Sequence, residues 1–365
     1  MKDRKVLGSP RIRLFMGMLA VAALIAGCGS SSSSSSTPSS TAAASAAAST
    51  STSSTTAATS VRLFMLPKFT GIPPFTQADQ GAQALAGTYG YKLTYGGPTT
   101  GSATAQVSFI NTAVANGYKG LFISADDAAA VTPALERAQQ QGVKVVSFDS
   151  DVLPKGRTIY IEGTGTPQIA QAELNMLGSQ IGFSGSFVIL SAQATDTNQN
   201  EWNAQLKQDL KTDPQYKNMH LVSIVYPSDD TAPTATTYAQ NILKEYPTIK
   251  GIISPTTVGV AAAAAVLQQQ HVCSKYVLTG LGDPMQMKSF VTSGCVKQFA
   301  LWNFTREGQV AMCAMHGVQT GALTGASGQT FDCPGAGSFT VGPQGTVIAG
   351  PAEIFTNKNL SAYTF

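Results

Sequence analysis

The stretch KVVSFDSDVLPKGR, residues 144–157, carries two carboxylates, Asp149 and Asp151, one alternation apart at the end of an apolar, β-branched run. Such a run bounded by polar residues reads as a buried strand of a parallel sheet, and those sheets bind ligands at the carboxyl ends of their strands. Two carboxylates there offer three chemistries: acid/base catalysis, metal ligation, or acceptance of hydrogen bonds from hydroxyl groups. Asp149 stands at the strand end itself and suits the third, a helix cap or turn residue being the alternative.

The segments after the other apolar runs have a matching character. They supply Lys68, Phe69 and Phe75 after VRLFMLP; Asn198, Gln199 and Trp202 after SFVILSA; Pro255, Thr256 and Thr257 after GIIS; Asp283 after YVLTGLG; and Trp302 and Asn303 after VKQFALW. Carboxylates and amides pair with vicinal hydroxyls, and flat aromatic rings cover C–H faces, so the set suits a polyol. Phe75 and Trp202 fall in the first turns of helix candidates and fit a core equally well, while a lysine after a strand-end proline is often a surface residue. Asp126 and Asp127 read as caps of the following helix, and Asp229–Asp230 as a solvated turn.

Catalysis has less support. HExxH, GxSxG, GxxxxGK[ST] and a post-strand GxGxxG are all missing from the sequence. His220, His271 and His316 lie at strand starts or within a helix, away from the strand-end set. Asp149 and Asp151 remain as an acid/base pair for a secreted hydrolase or isomerase, with no histidine or metal set beside them. No cofactor and no metal are expected.

Apolar runs alternate with helical patterns from residue 61 onward, which calls for right-handed crossovers and parallel sheets. Two such series predict an α/β fold of two doubly wound parallel-sheet lobes with a hinge and an interdomain cleft. The pattern stutters near TIYIEGTGTPQ and again around ALWNFTRE. One lobe is therefore expected from 61–163 plus about 304–340, and the other from 164–303 plus about 341–365.

The chain begins MKDRKVLGSPRIRLFMGMLAVAALIAGC, a basic segment, a short apolar run and a small-residue approach to Cys28. This resembles a lipoprotein signal peptide over 1–27, with Cys28 the lipidated first residue of the mature chain. Lys2, Arg4, Lys5, Arg11 and Arg13 would leave with Asp3, a net of +4, taking the formal charge from +3 to −1. A near-neutral chain has no electrostatic footprint for nucleic acid. Through residue 60 the sequence is almost wholly Ser, Ala and Thr, a disordered tether with a root-mean-square reach of about 30 Å. Membrane contact would come through lipid alone, on the outer face of the cell membrane, and the folded part is expected to be a monomer. The remaining Cys273, Cys295, Cys313 and Cys333 allow three disulfide pairings. Cys273 and Cys295 each precede an apolar strand, at the same end of neighbouring strands, so Cys273–Cys295 with Cys313–Cys333 is preferred.

The blocks ILSAQATDTNQNEW, IISPTTVGVAAAA, VLTGLGDP and FALWN closely resemble the rhamnose-binding proteins of the type I periplasmic, ribose-binding-like superfamily, and the related autoinducer-2-binding proteins share the layout. The resemblance spans 61–365. It implies a receptor that closes on a sugar and delivers it to the permease and ATPase of an ABC importer. It also implies ligand roles for Lys68, Asp149, Asn198, Gln199, Pro255, Thr257 and Asn303. The autoinducer-2 pattern has an aspartate at the position of Asn198, Asp283 stands where rhamnose-binding relatives carry an apolar residue, and Phe69 replaces a polar one.

Overall fold

The computed structural model describes residues 60–363. The expected signal peptide, the lipidation at Cys28 and nearly all of the tether therefore lie outside the described residues. The described residues form one compact unit.

The first lobe opens with β1 (Val61–Leu66), α1 (Pro73–Ala86), β2 (Tyr91–Tyr95), α2 (Ala103–Ala115), β3 (Gly120–Ile123), α3 (Ala128–Gln140), β4 (Lys144–Phe148) and β5 (Ile159–Glu162). The second lobe holds α4 (Thr166–Ile181), β6 (Ser184–Leu190), α5 (Thr197–Thr212), β7 (Asn218–Val225), α6 (Ala232–Glu245) and β8 (Gly251–Ser254). It continues through α7 (Thr257–Gln269), β9 (Val277–Gly280), α8 (Pro284–Thr292) and β10 (Gln298–Leu301). The chain then returns to the first lobe with α9 (Phe304–Thr320), the hairpin β11 (Thr330–Cys333) and β12 (Gly337–Thr340), and β13 (Thr346–Ile348), before β14 (Glu353–Thr356).

The first sheet has the order β13-β5-β4-β3-β1-β2 and is parallel throughout. The second, β7-β6-β8-β9, is parallel as well, and β10 is joined to its β9 edge by a bridge between Leu281 and Ala300. Both sheets are covered on two faces, which is why the inner strands β3 and β8 are buried at every position. In β1, Leu63 and Met65 join one core cluster while Phe64 and Leu66 join another. In β6, Val188 and Leu190 face the shared core, and Phe187 and Ile189 face α4 and α5. Each such side chain contributes about 1.5–3 kcal/mol by leaving water.

Local signals start the helices. Ser102 caps α2 by accepting from Ala105 N–H, Asp127 caps α3 by accepting from Ala130 N–H, and α1 opens on Pro73. Helix α9 lies against α1 and β4. The approach is close enough that a Cβ on Gly308 would come within 1.8 Å of the Ala78 carbonyl oxygen, so only glycine fits there.

The expected α/β fold of two parallel-sheet lobes is the fold observed. The tail differs from expectation. Residues 341 onward were assigned to the second lobe, but Thr346–Ile348 pair in parallel with Tyr160–Glu162 at the edge of the first sheet. Only Glu353–Thr356 crosses over, antiparallel to β10. A three-residue edge strand carries no periodicity that ties it to one sheet, and the open edge of β5 decides the matter. The crossings are held together: Gly350 N–H donates to Gly163 O at 3.1 Å, Thr164 Oγ1 to Gly350 O at 3.0 Å, and Arg306 Nε to Ala349 O at 2.7 Å.

Both preferred disulfides are present, Cys273–Cys295 with a Cα separation of 4.8 Å and Cys313–Cys333 with 5.5 Å. The first joins the approaches to β9 and β10, adjacent strands as expected. The second fastens α9 to β11.

Candidate functional site

A small cavity lies between the carboxyl ends of the two sheets. The loop after β1 contributes Lys68, Phe69 and Ile72, the first turn of α1 contributes Pro74 and Phe75, and the end of β4 contributes Asp149. From the second lobe come Asn198, Gln199 and Trp202 in α5, Asp230 after β7, and Pro255, Thr256 and Thr257 at the β8–α7 junction. Leu281, Leu301, Trp302 and Phe304 complete the wall near the crossing.

Aromatic rings line two sides. Trp202 and Trp302 meet edge to face at 5.8 Å, Trp302 stacks on Phe304 at 4.7 Å, and Phe69 meets Phe75 edge to face at 5.8 Å. The indole of Trp302 lies directly over the first crossing, where a Cβ on Gly163 would approach its Nε1 to 2.1 Å. Glycine at 163 is thus a condition for the ring's placement.

The polar groups form a connected network. Lys68 Nζ donates to Asn198 Oδ1 at 3.0 Å and pairs with Asp196 Oδ2 at 3.4 Å. Asn198 Nδ2 donates to Asp149 Oδ1 at 3.3 Å, and Ser124 Oγ donates to Asp149 Oδ2 at 2.6 Å. Gln199 Nε2 donates to Pro255 O at 2.6 Å, while its Oε1 accepts from Ser191 Oγ at 3.2 Å, which fixes the amide's orientation. Thr256 Oγ1 stands 2.9 Å from each oxygen of Asp230.

Asp149 itself has φ +57°, left-handed backbone that a non-glycine residue adopts at a cost of about 1–3 kcal/mol. Its carbonyl accepts from Tyr160 Oη at 2.8 Å, which helps hold the turn.

One cation faces several buried carboxylates. Burial pulls the Lys68 pKa down, but Asp196, Asp149, Asp230 and Asp126 outweigh it, so the net direction is upward and the ammonium stays charged. The carboxylates carry the excess. Burial raises Asp149 despite the pull of Lys68 and the Ser124 hydrogen bond. It pushes Asp196 up to about 7 and Asp230 up to about 6, again against Lys68. The walls therefore favour a neutral ligand rich in hydroxyl donors over an anion.

Ten of the expected site residues, Lys68, Phe69, Phe75, Asp149, Asn198, Gln199, Trp202, Pro255, Thr257 and Trp302, are brought together at this cavity. Three are not. Asp151 is spent on structure: its carboxylate accepts from Arg157 Nε at 2.8 Å and Nη2 at 2.6 Å, from Ser147 Oγ at 2.5 Å and from Val152 N–H at 2.8 Å. Asp283 caps α8, accepting from Met285 and Gln286 N–H at 3.0 Å each, and takes Gln77 Nε2 from the other lobe at 3.1 Å. Asn303 caps α9 by accepting from Arg306 N–H at 2.9 Å, and lines a separate cavity at the crossings.

Asp230, expected with Asp229 in a solvated turn, instead lines the cavity. It follows β7 by five residues, in YPSDD, and the same rule would have found it had that loop been counted as a strand end. Its neighbour Asp229 does serve the turn, accepting from Thr231 Oγ1 at 2.7 Å. Among the described residues no cluster of three histidine, cysteine or acidic side chains could hold a metal ion.

A two-lobed α/β chain with a small-molecule cavity between its sheet ends has the architecture of an interlobe binding protein. The chain belongs to the family described as the periplasmic binding protein domain, which matches residues 63–322. Similar solved structures include a sugar ABC transporter from Actinomyces odontolyticus, 38% identical over 83% of this chain and 97% of that one, with a TM-score of 0.68. An ABC transporter solute-binding protein from Clostridium phytofermentas with bound L-rhamnose is 32% identical over 84% of this chain and 98% of that one, with a TM-score of 0.80. LsrB from Clostridium saccharobutylicum, in complex with AI-2, is 26% identical over 84% and 100%, with a TM-score of 0.78.

Proposed function

We propose that this protein is the extracytoplasmic receptor of an ABC importer, tethered to the membrane through lipid on Cys28, and that it closes on one neutral monosaccharide. Rhamnose or a similar deoxyhexose is the preferred ligand. The observation that carries the reading is the cavity's pairing of hydroxyl partners, Lys68, Asp149, Asn198, Gln199 and Asp230, with the indoles of Trp202 and Trp302. Asp149 and Asp230 accept from ring hydroxyls, Lys68 and Asn198 donate to oxygens, and the aromatic faces cover C–H bonds. Ile72, Leu281 and Leu301 give a methyl group an apolar seat. The bound L-rhamnose in the Clostridium phytofermentas relative supports the choice of sugar.

A second reading is autoinducer-2, whose hydrated form is rich in hydroxyls. Asp230 favours it, since it supplies an extra carboxylate acceptor in a site where Asn198 replaces one. The deciding experiment is calorimetric titration of residues 58–365 with L-rhamnose, other monosaccharides and autoinducer-2. Tight 1:1 binding of L-rhamnose is expected; autoinducer-2 binding more tightly than every sugar overturns the deoxyhexose reading, and binding of neither class overturns the receptor reading. A ligand at a hundredfold excess over its Kd should add about 2.7 kcal/mol of stability, which a thermal shift would register.

A further inference from the structure

Glu307, in the first turn of α9, is fully buried and stands outside the cavity wall. Its two carboxylate oxygens serve two different wall residues. Oε1 accepts the backbone N–H of Asp149 at 2.7 Å, and Oε2 accepts the indole Nε1–H of Trp302 at 2.7 Å. One residue comes from the end of β4 and the other from the crossing after β10, so no other bond described above ties them together. The Asp149 N–H also reaches Ile161 O, at the longer distance of 3.2 Å.

We propose that Glu307 is a positioning residue for the ligand site, fixing the left-handed turn that aims Asp149 and the plane of the Trp302 ring with a single carboxylate. The functional meaning rests on the sugar-receptor reading; the geometry does not. Burial and the neighbouring Asp149 raise the Glu307 pKa, and the N–H bonds from Trp302 and Asp149 oppose that rise by favouring the ionised form, in which each oxygen accepts. Glutamine has nearly the same volume but only one acceptor oxygen, and its amide nitrogen would face an N–H. An apolar side chain would leave both donors unpaired in a buried place. Packing alone would tolerate Glu307→Gln, and positioning would not.

The test uses residues 58–365, the compact unit. Trp202 and Trp302 are the two tryptophans of the chain, so Trp202→Phe leaves Trp302 as the sole indole reporter. In that background Glu307→Gln is expected to shift the emission of Trp302 without any ligand. With Trp202 intact, Glu307→Gln is expected to weaken L-rhamnose binding by about tenfold or more. In a Trp302→Phe background the indole donor is gone, the amide nitrogen meets no N–H there, and the same substitution should cost less than about threefold. If Glu307→Gln fails to fold alone, recovery in the Trp302→Phe background is the expected result. Unchanged emission, an equal loss of affinity in both backgrounds, or a double variant that also fails to fold overturns the proposal. A wild-type protein that binds no sugar defeats the receptor reading instead, and the emission measurement still decides the role of Glu307.

Discussion

Asp149 carries the most demanding combination of any residue in the site: a buried carboxylate, 6% exposed, on left-handed backbone. Asparagine tolerates that backbone and keeps the shape, so Asp149→Asn separates the charge from the turn. It is expected to weaken sugar binding by about 1–3 kcal/mol in calorimetry with little change in melting temperature; affinity within a factor of a few of wild type would leave Asp149 only a backbone role. Asn198 is the complementary case. Its amide accepts from Lys68 and donates to Asp149, and Asn198→Asp removes that donor and sets two carboxylates against each other. Binding of a deoxyhexose should fall by about 1–3 kcal/mol, measured in parallel with autoinducer-2, for which the loss should be smaller.

At the scale of elements, helix α4 holds an unusual group. Glu173 is 1% exposed, its Oε1 has no hydrogen-bond partner, and burial alone pushes its pKa up to about 8. The folded protein therefore holds a proton that the unfolded chain, titrating near 4.5, releases. Its contribution to stability is fully present below pH 4.5 and is lost as pH rises to about 8, because the folded state binds more protons across that window. Glu173→Gln should flatten the decline in melting temperature between pH 5 and pH 8, with a gain of up to a few kcal/mol at the upper end. A pH profile parallel to wild type would mean that the carboxyl finds water or another partner in solution. Capping shows the same economy at the helix ends: Asp283 and Asn303 spend their side chains on α8 and α9 and are thereby removed from the ligand's reach.

Across the whole molecule, the lobes are bonded to each other directly. Besides the Lys68, Asp149 and Asn198 network, Gln193 Nε2 donates to Asp126 Oδ1 at 2.9 Å and Gln77 Nε2 to Asp283 Oδ2 at 3.1 Å, both outside the cavity wall. Bonds of this kind stabilise the closed arrangement whether or not a ligand is inside, and a larger closed fraction raises apparent affinity. Gln193→Ala, which touches no ligand, is expected to weaken binding by about 0.5–1.5 kcal/mol. It should also expand the ligand-free protein in small-angle scattering. Unchanged affinity and dimensions would show that the latch contributes nothing beyond the cavity's own contacts.

The strand-and-helix alternation determined the α/β fold and the two lobes, because strands buried on both faces must be apolar at every position, as Leu63–Leu66 are. It also located most of the cavity wall, since the carboxyl ends of those strands gather wherever the helices cross over, and it set Cys273 and Cys295 before neighbouring strands. Tertiary structure alone decided among residues of the same type. The sequence pattern favoured Asp149 over Asp151 only by its place at the strand end; in the fold Asp149 lines the cavity on a positive φ and Asp151 pairs with Arg157. Asp230, five residues beyond β7, lines the cavity from a loop that sequence alone reads as solvated. Asp283 lies ahead of a proline at a helix start, a capping pattern that one sequence shares between structure and ligand binding. The edge strand β13 chose its sheet by the open hydrogen-bonding groups of β5, and Glu307 found Asp149 across 158 residues of chain. A contact of that separation depends on how two elements pack, which local residue order does not encode.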